Sequence, residues 1–249
     1  MPLRKVYYET TVPAVRDRIV QTALRQVIEP IFEHQFAEHS YGFRPGRGCK
    51  DALRRVQALL DEGGTWIVDA DLKGYFDTIP KDRLMGRVEE RIADSRVLAL
   101  VRSYLDQGVM EELTLHEPTE RGTPQGAVIS PLLANIYLDP LDHLMALAGF
   151  QMVRYADDFV ILCRSEDEAK AALARVQTWV LENGLTLHPQ KIRIVDATLP
   201  GGFDFLGVSL RAGLSLAAPQ GDGPAQGQGA GADSAHERGF AGGYHHASQ

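Results

Sequence analysis

Apolar residues recur at helical spacing through Val15, Ile19, Val20, Ala23, Leu24, Val27 and Ile28, and Pro30 interrupts the helix they predict. Arg16, Asp17, Arg18, Gln21 and Arg25 fall mostly on its other, solvated face. A second amphipathic helix is expected from Asp51 to Leu60, closed by Gly63-Gly64. The period then changes. Thr65 to Asp71 reads as a strand ending in acids; Asp69 and Asp71 share one face, because side chains alternate across a strand, and Asp77 lies in a turn beyond Gly74. Pro80 starts a helix to about Ile92, and another follows from Ser95 to Leu105. Val109 to Glu117 reads as a short hairpin or extended arm. A Gly/Pro loop over 121–131 runs into a further helix, with Ser130 placed to cap it and Leu132, Leu133, Ile136, Leu141 and Leu144 on its buried face.

From Met152 to Cys163, two apolar runs rich in Val, Ile and Phe flank Ala156-Asp157-Asp158, the pattern of two strands joined by a tight hairpin turn. Ser165 to Leu181 is a helix with Ser165 and Asp167 or Glu168 as its cap. Gly184–Leu187, Ile192–Val195 and Gly202–Val208 read as short strands. Residues 212–249 hold nine Gly and nine Ala among thirty-eight, with no Lys and one Arg. Such a segment buries too little surface to offset chain entropy, so a disordered Gly/Ala-rich tail is expected.

Composition changes this picture in two places. Net charge is −7, which argues against a nucleic-acid partner, but residues 1–60 carry ten Lys/Arg against six Asp/Glu. A basic front and an acidic remainder suit a chain that touches phosphates with one part and binds cations with another. No apolar run is long enough to span a bilayer, and Met1-Pro2-Leu3-Arg4-Lys5 does not lead into a signal-peptide core, so a cytoplasmic chain with no membrane contact is expected. Cys49 and Cys163 have neither metal-ligand nor disulfide-framework spacing.

The candidate chemistry lies where strands end in acids. Asp157 and Asp158 at a hairpin tip repel each other unless a cation sits between them. If the Asp71 strand lies beside that hairpin, as split βαβ connectivity allows, three carboxylates meet at one sheet edge. Two Mg2+ ions (or Mn2+) about 3.5–4 Å apart would resolve that repulsion and serve phosphoryl transfer. The loop Ser40 to Lys50 interleaves Tyr41 and Phe43 with Arg44, Arg47 and Lys50, a mixture that suits a phosphate backbone with base stacking and equally suits an ordinary basic turn.

Taken in order, YGFRPGR, DADLKGYFDTIP, RGTPQGAVISPLLANIYL, RYADDFVILC, GLTLHPQK and FDFLG resemble the reverse transcriptase domain of bacterial group II intron-encoded proteins, over residues ~12–211. The resemblance implies an α+β fold: a right-hand polymerase palm with partial fingers, its antiparallel sheet covered by helices. Residues 1–64 would be partial fingers and 65–211 the palm, with fingers-like helices at about 81–120 and the tail at 212–249. It also implies an RNA template, a DNA primer and a dNTP as partners, with intron RNA as a further one; it leaves the oligomeric state unknown. Asp71, Asp157 and Asp158 would be the metal carboxylates, with the Leu72 carbonyl as a further ligand. Lys73, Tyr75 and Phe76 would border the nucleotide, Phe76 as the gate against a ribose 2′-hydroxyl, and Gln125 and Gly126 would line its pocket. Lys191 would protonate pyrophosphate as a general acid. Arg44, Arg47, Tyr155 and the hairpin Phe205-Leu206-Gly207 would meet template and primer.

The chain also departs from that pattern. Thr11-Val12-Pro13 fits the end of a basic fingers strand, but Tyr8 stands where that strand carries arginine, and a lysine of the same segment would precede Met1. No basic thumb-like helix follows Arg211, and the tail resembles out-of-frame translation of a GC-rich gene. These departures predict weak or no polymerase activity, and they keep open a non-catalytic RNA-binding remnant or a degenerate fragment of an intron-encoded protein. An RNA-templated RNA polymerase is a third reading, against which Phe76 argues.

Overall fold

The structure is a computed structural model that describes residues 15–106, 109–111, 114–116, 120–123 and 126–213, all within one compact unit, residues 1–216. The expectations for Tyr8, Gln125 and the tail beyond residue 213 lie outside the described residues.

In chain order the elements are α1 (Val15–Glu33), α2 (Cys49–Asp61), β1 (Trp66–Asp71), α3 (Tyr75–Thr78), α4 (Lys81–Glu89) and α5 (Ser95–Leu105). The hairpin of β2 (Val109–Glu111) and β3 (Thr114–His116) follows, then α6 (Ser130–Leu147), β4 (Gln151–Tyr155), β5 (Asp158–Cys163) and α7 (Glu166–Glu182). Three short strands close the described chain: β6 (Arg193–Asp196), β7 (Phe203–Phe205) and β8 (Val208–Leu210).

A four-stranded antiparallel sheet in the order β4-β5-β1-β6 carries the fold. Both faces are covered. Val68 and Ala70 of β1 and Phe159 and Ile161 of β5 join Leu133, Ile136 and Tyr137 of α6 and Val176 and Val180 of α7 in the larger core. On the opposite face Ile67, Val160 and Leu162 meet Ala52, Val56 and Leu60 of α2 and Phe203, Phe205 and Leu210 of the β7–β8 hairpin. Each buried Val, Leu, Ile or Phe among these stabilises the fold by about 1.5–3 kcal/mol. Their strict alternation along β1 and β5 therefore fixes the register, since a slip of one residue would exchange the two faces.

Several boundaries differ from the sequence reading. Helix α1 runs through Pro30 instead of stopping there, because Phe32 beyond the proline is buried and holds the final turn on the core. Helix α6 begins at Ser130 itself, with Ile129 in the capping position, so Ser130 is the first helical residue and not the cap. Residues 184–187 form no strand; a single antiparallel bridge joins Leu187 to Leu72. The Ser165 cap is present as expected, its hydroxyl accepting from the Glu168 amide at 3.2 Å while the Glu168 carboxylate accepts from the Arg164 amide. None of the helices described is long and apolar enough to cross a membrane.

Candidate active site

Pairing of β1 with β5 brings the two acidic stretches together. The antiparallel register sets Asp71 opposite Asp158, and Asp69 opposite Val160. Residues 67, 69 and 71 alternate onto one face, as do 158, 160 and 162, and Ile67, Val160 and Leu162 place that face toward α2 and the β7–β8 hairpin. Asp69, Asp71 and Asp158 therefore stand in a row where the hydrophobic cover of that face ends.

The turn that joins β4 to β5 consists of Ala156 and Asp157, with Tyr155 paired to Asp158. Ala156 has φ 59°, a left-handed conformation at the first turn position, which two-residue hairpins usually give to glycine. In a residue with a Cβ it costs about 1–3 kcal/mol and persists where the surroundings enforce it. Asp157 is half-buried beside it.

The electrostatics follow from this crowding. Burial, and then the neighbouring charges of Asp69, Asp71 and Asp157, push the Asp158 carboxyl up to about 6, with Lys191 acting in the other direction. Burial also raises Asp157, partly offset by its own backbone amide, raised again by Asp71 and relieved by Lys191 and Arg154. Lys191 reaches this cluster because the segment after α7 runs along the end of β1. The Lys73 amide donates to the Thr186 carbonyl and the His188 amide to the Asp71 carbonyl, each at 2.8 Å. The Lys191 ammonium is ion-paired with the Asp71 carboxylate, and Arg193 with Asp69 at 2.6 Å.

A hard divalent cation suits these donors, which are all carboxylate oxygens in a partly desolvated, mutually repelling set. Among the described residues no three His, Cys, Asp or Glu side chains form a closed ligand group. With Asp71 engaged by Lys191, the carboxylates share an edge without converging on one point.

The remaining expected site residues divide. Phe76 is half-buried, with its ring edge-on to Phe43 at 6.3 Å and to Tyr75 at 5.7 Å between centroids. The Thr123 amide donates to the Phe76 carbonyl at 2.7 Å, which ties residues 121–123 to the backbone of this aromatic; Gly126 is exposed. Lys73 is exposed and Leu72 is buried beneath the Leu187 bridge. Tyr75 points into the core, 2% exposed, and its hydroxyl donates to the Ala134 carbonyl at 2.7 Å, so its side chain supports Phe76 from behind. Arg44 is likewise interior: it pairs with Glu33 at 2.7 Å and donates to the carbonyls of Ala37 and Ser40. Thus Arg44 braces its own loop, whereas Arg47 is half-buried over the Tyr41 ring and donates to the Glu38 carbonyl. Leu206 and Gly207 form the tip of the β7–β8 hairpin with φ of 51° and 75°, on the same sheet face as Asp71 and Asp158; Tyr155 packs partly against that cluster.

Sequence reasoning missed the support behind the acidic turn. Arg154, Asp142 and Asn135 are buried polar groups bonded to one another, with the Arg154 side chain donating to the Asp142 carboxylate at 2.8 and 3.0 Å and to Asn135 Oδ1 at 2.9 Å. The signal was available: Arg154 interrupts an apolar strand, and Asn135 and Asp142 fall within the apolar stripe of α6.

Residues 7–210 match the family described as reverse transcriptase (RNA-dependent DNA polymerase). Among curated relatives, Protein YkfC of Escherichia coli is 32% identical over 83% of this chain and 66% of its own length. Group II intron-encoded protein LtrA of Lactococcus lactis is 40% identical over 54% of this chain and 22% of its own. An uncharacterised 91 kDa protein in the cob intron of Schizosaccharomyces pombe is 32% identical over 75% and 30%. The chain thus spans between 22% and 66% of the length of these relatives. Telomerase from Candida albicans shares the fold, with a TM-score of 0.57 at 17% identity, over 82% of this chain and 37% of that one. By the family match across most of its length, the chain belongs to the reverse transcriptase (RNA-dependent DNA polymerase) family.

Proposed function

We propose that this chain is the RNA-directed DNA polymerase part of a group II intron-type protein. It would extend a DNA primer on an RNA template, the primer 3′-hydroxyl attacking the α-phosphate of a dNTP and releasing pyrophosphate. The observation that carries this reading is the pairing of Asp71 with Asp158 across β1 and β5, with Asp157 in the adjoining turn and the Asp158 carboxyl raised to about 6. A carboxylate set that is unfavourable by itself gains stability from cations, and nucleotidyl transfer draws on that need.

In this reading Asp71, Asp157, Asp158 and the Leu72 carbonyl hold two Mg2+ or Mn2+ ions. Bound there, the ions would lower the pKa of the attacking hydroxyl and neutralise charge on the leaving phosphates. The protein's own groups position the reactants. Phe76 bars a 2′-hydroxyl, with Tyr75 and Phe43 fixing its ring. Lys191 stands beside Asp71, where an ammonium can give its proton to the departing pyrophosphate. Lys73, Gln125 and Gly126 border the nucleotide. Tyr155 and the Phe205-Leu206-Gly207 tip, on the face that carries the acids, would meet the primer end, and Arg47 the template. Residues 1–64 serve as partial fingers and 65–211 as palm.

The test is extension of oligo(dT) on poly(rA) at low salt with Mg2+ or Mn2+, comparing the chain with Asp157→Asn/Asp158→Asn. Weak extension by the parent and none by the variant is expected, in keeping with the departures from the family pattern. Template-primer binding with no extension under either ion would identify a non-catalytic RNA-binding remnant instead.

A further inference from the structure

The acidic turn is held from the side of the sheet away from the carboxylates. Arg154 is 1% exposed and lies on the face of β4 opposite Tyr155. Its guanidinium donates to four acceptors: both Asp142 carboxylate oxygens, Asn135 Oδ1, and the carbonyl of Ala156 at 2.8 Å. That last carbonyl belongs to the strained turn residue that immediately precedes Asp157 and Asp158. Asn135 also donates its amide to the Gly42 carbonyl at 2.8 Å. The loop around Gly42 is in turn laid along β4, with the Tyr41 amide donating to the Arg154 carbonyl at 2.9 Å and the Arg154 amide to the His39 carbonyl at 3.0 Å. Gly42 approaches so closely that a Cβ there would stand 2.3 Å from the Ala156 nitrogen.

We propose that Arg154 is a positioning residue: anchored by Asp142 and Asn135 of α6, it holds the Ala156 carbonyl and thereby the turn that aims Asp157 and Asp158, and it couples that turn to the Tyr41–Arg44 loop. A planar fork with five donors can serve Asp142, Asn135 and Ala156 together, which a single ammonium cannot. The buried charge pair is an expensive way to fill a core, since apolar side chains of similar volume stabilise as well or better. What apolar side chains cannot do is hold a carbonyl at the tip of a strained turn. The inference rests on the polymerase reading for its kinetic arm and on cation binding alone for the other.

The full chain is compared with Arg154→Lys and with Arg154→Met/Asp142→Leu, which leaves no unpaired charge in the core. Thermal melts report folding, titration with free Mn2+ followed by electron paramagnetic resonance reports the turn, and single-nucleotide extension separates kcat from the dNTP KM. The double variant is expected to melt near the parent. Its Mn2+ half-saturation should nonetheless be higher, and its kcat lower, by about tenfold or more, the range typical when the support behind a metal-binding group is lost. Its dNTP KM should move by less than about threefold, since a transition-state contact is lost and not uniform binding. Recovery of Mn2+ binding and kcat together with melting temperature would overturn the proposal, leaving Arg154 and Asp142 a plain core pair. If the double variant does not fold, Arg154→Lys decides, studied below its melting temperature: unchanged Mn2+ binding overturns the proposal, and loss of about tenfold supports it. Failure of both variants to fold would make Arg154 a folding residue and overturn it as well. A parent that binds Mn2+ but extends no primer removes the polymerase reading and leaves the Mn2+ arm to judge the positioning role. A parent that binds no Mn2+ overturns both.

Discussion

Asp71 and Asp158 face one another directly across the antiparallel ladder of β1 and β5, so two carboxylates occupy a cross-strand pair where like charges repel. Asp157 and Asp69 add to that repulsion. The fold thus carries a local electrostatic cost whose expected relief is a cation.

This cost should be visible as a pH effect in metal-free protein. The Asp158 carboxyl is raised from 3.8 to about 6 in the folded state, so the folded chain binds that proton more tightly than the unfolded chain does. Its contribution to stability is full below about pH 3.8 and is lost as pH rises through about 6. Asp158→Asn cannot ionise, so it should melt above the parent at pH 8, with the gap narrowing toward pH 5. Melting curves at both pH values in EDTA check this; a gap independent of pH would contradict it.

Mg2+ should raise the melting temperature of the parent and raise it less in Asp157→Asn/Asp158→Asn, since a ligand that binds only the folded state stabilises it by mass action. Equal shifts in the two proteins would place the cation elsewhere.

Phe76→Ala should admit ribonucleotides by removing the ring that a 2′-hydroxyl would meet. The measurement is the ratio of dTTP to UTP incorporation on poly(rA). A variant that still rejects UTP would make Phe76 a packing partner of Phe43 and Tyr75 only.

Gly42→Ala should destabilise the chain by about 1–3 kcal/mol or more, because the added Cβ meets backbone, which cannot rotate away as a side chain can. Urea unfolding of parent and variant measures it, and a change within error would show that the loop can lift from Ala156 freely.

Arg44→Ala should behave as a stability variant. Its side chain is 2% exposed and bound to Glu33, Ala37 and Ser40, so its loss should cost on the order of 3 kcal/mol. Arg47→Ala removes only a contact with the Tyr41 ring and a bond to the Glu38 carbonyl, so it should lower the melting temperature slightly while lowering template affinity at low salt, an effect that fades as salt rises. Filter binding across a salt series distinguishes the two arginines.

The sequence by itself determined the elements and the acidic pair of strand ends. Alternating apolar residues in Trp66–Asp71 and Met152–Cys163, the helical spacing of α2, α5 and α7, and the Ser165 cap were all legible, because local periodicity and capping chemistry depend on neighbours in the chain. Motif order pointed to the family that the comparison then matched over residues 7–210. Tertiary structure decided what periodicity cannot encode. It set Asp71 against Asp158 residue for residue, carried helix α1 past Pro30 through the burial of Phe32, and reduced residues 184–187 to one bridge. It also drew Arg44 and Tyr75 inward, where sequence alone suggested contact with ligands, and it joined Arg154 of β4 to Asn135 and Asp142 of α6 beneath the turn. The reason is common to all of these. Whether a polar side chain faces water, a ligand or a buried partner depends on desolvation by segments distant in the chain, and those segments come together only when the sheet closes between its two cores.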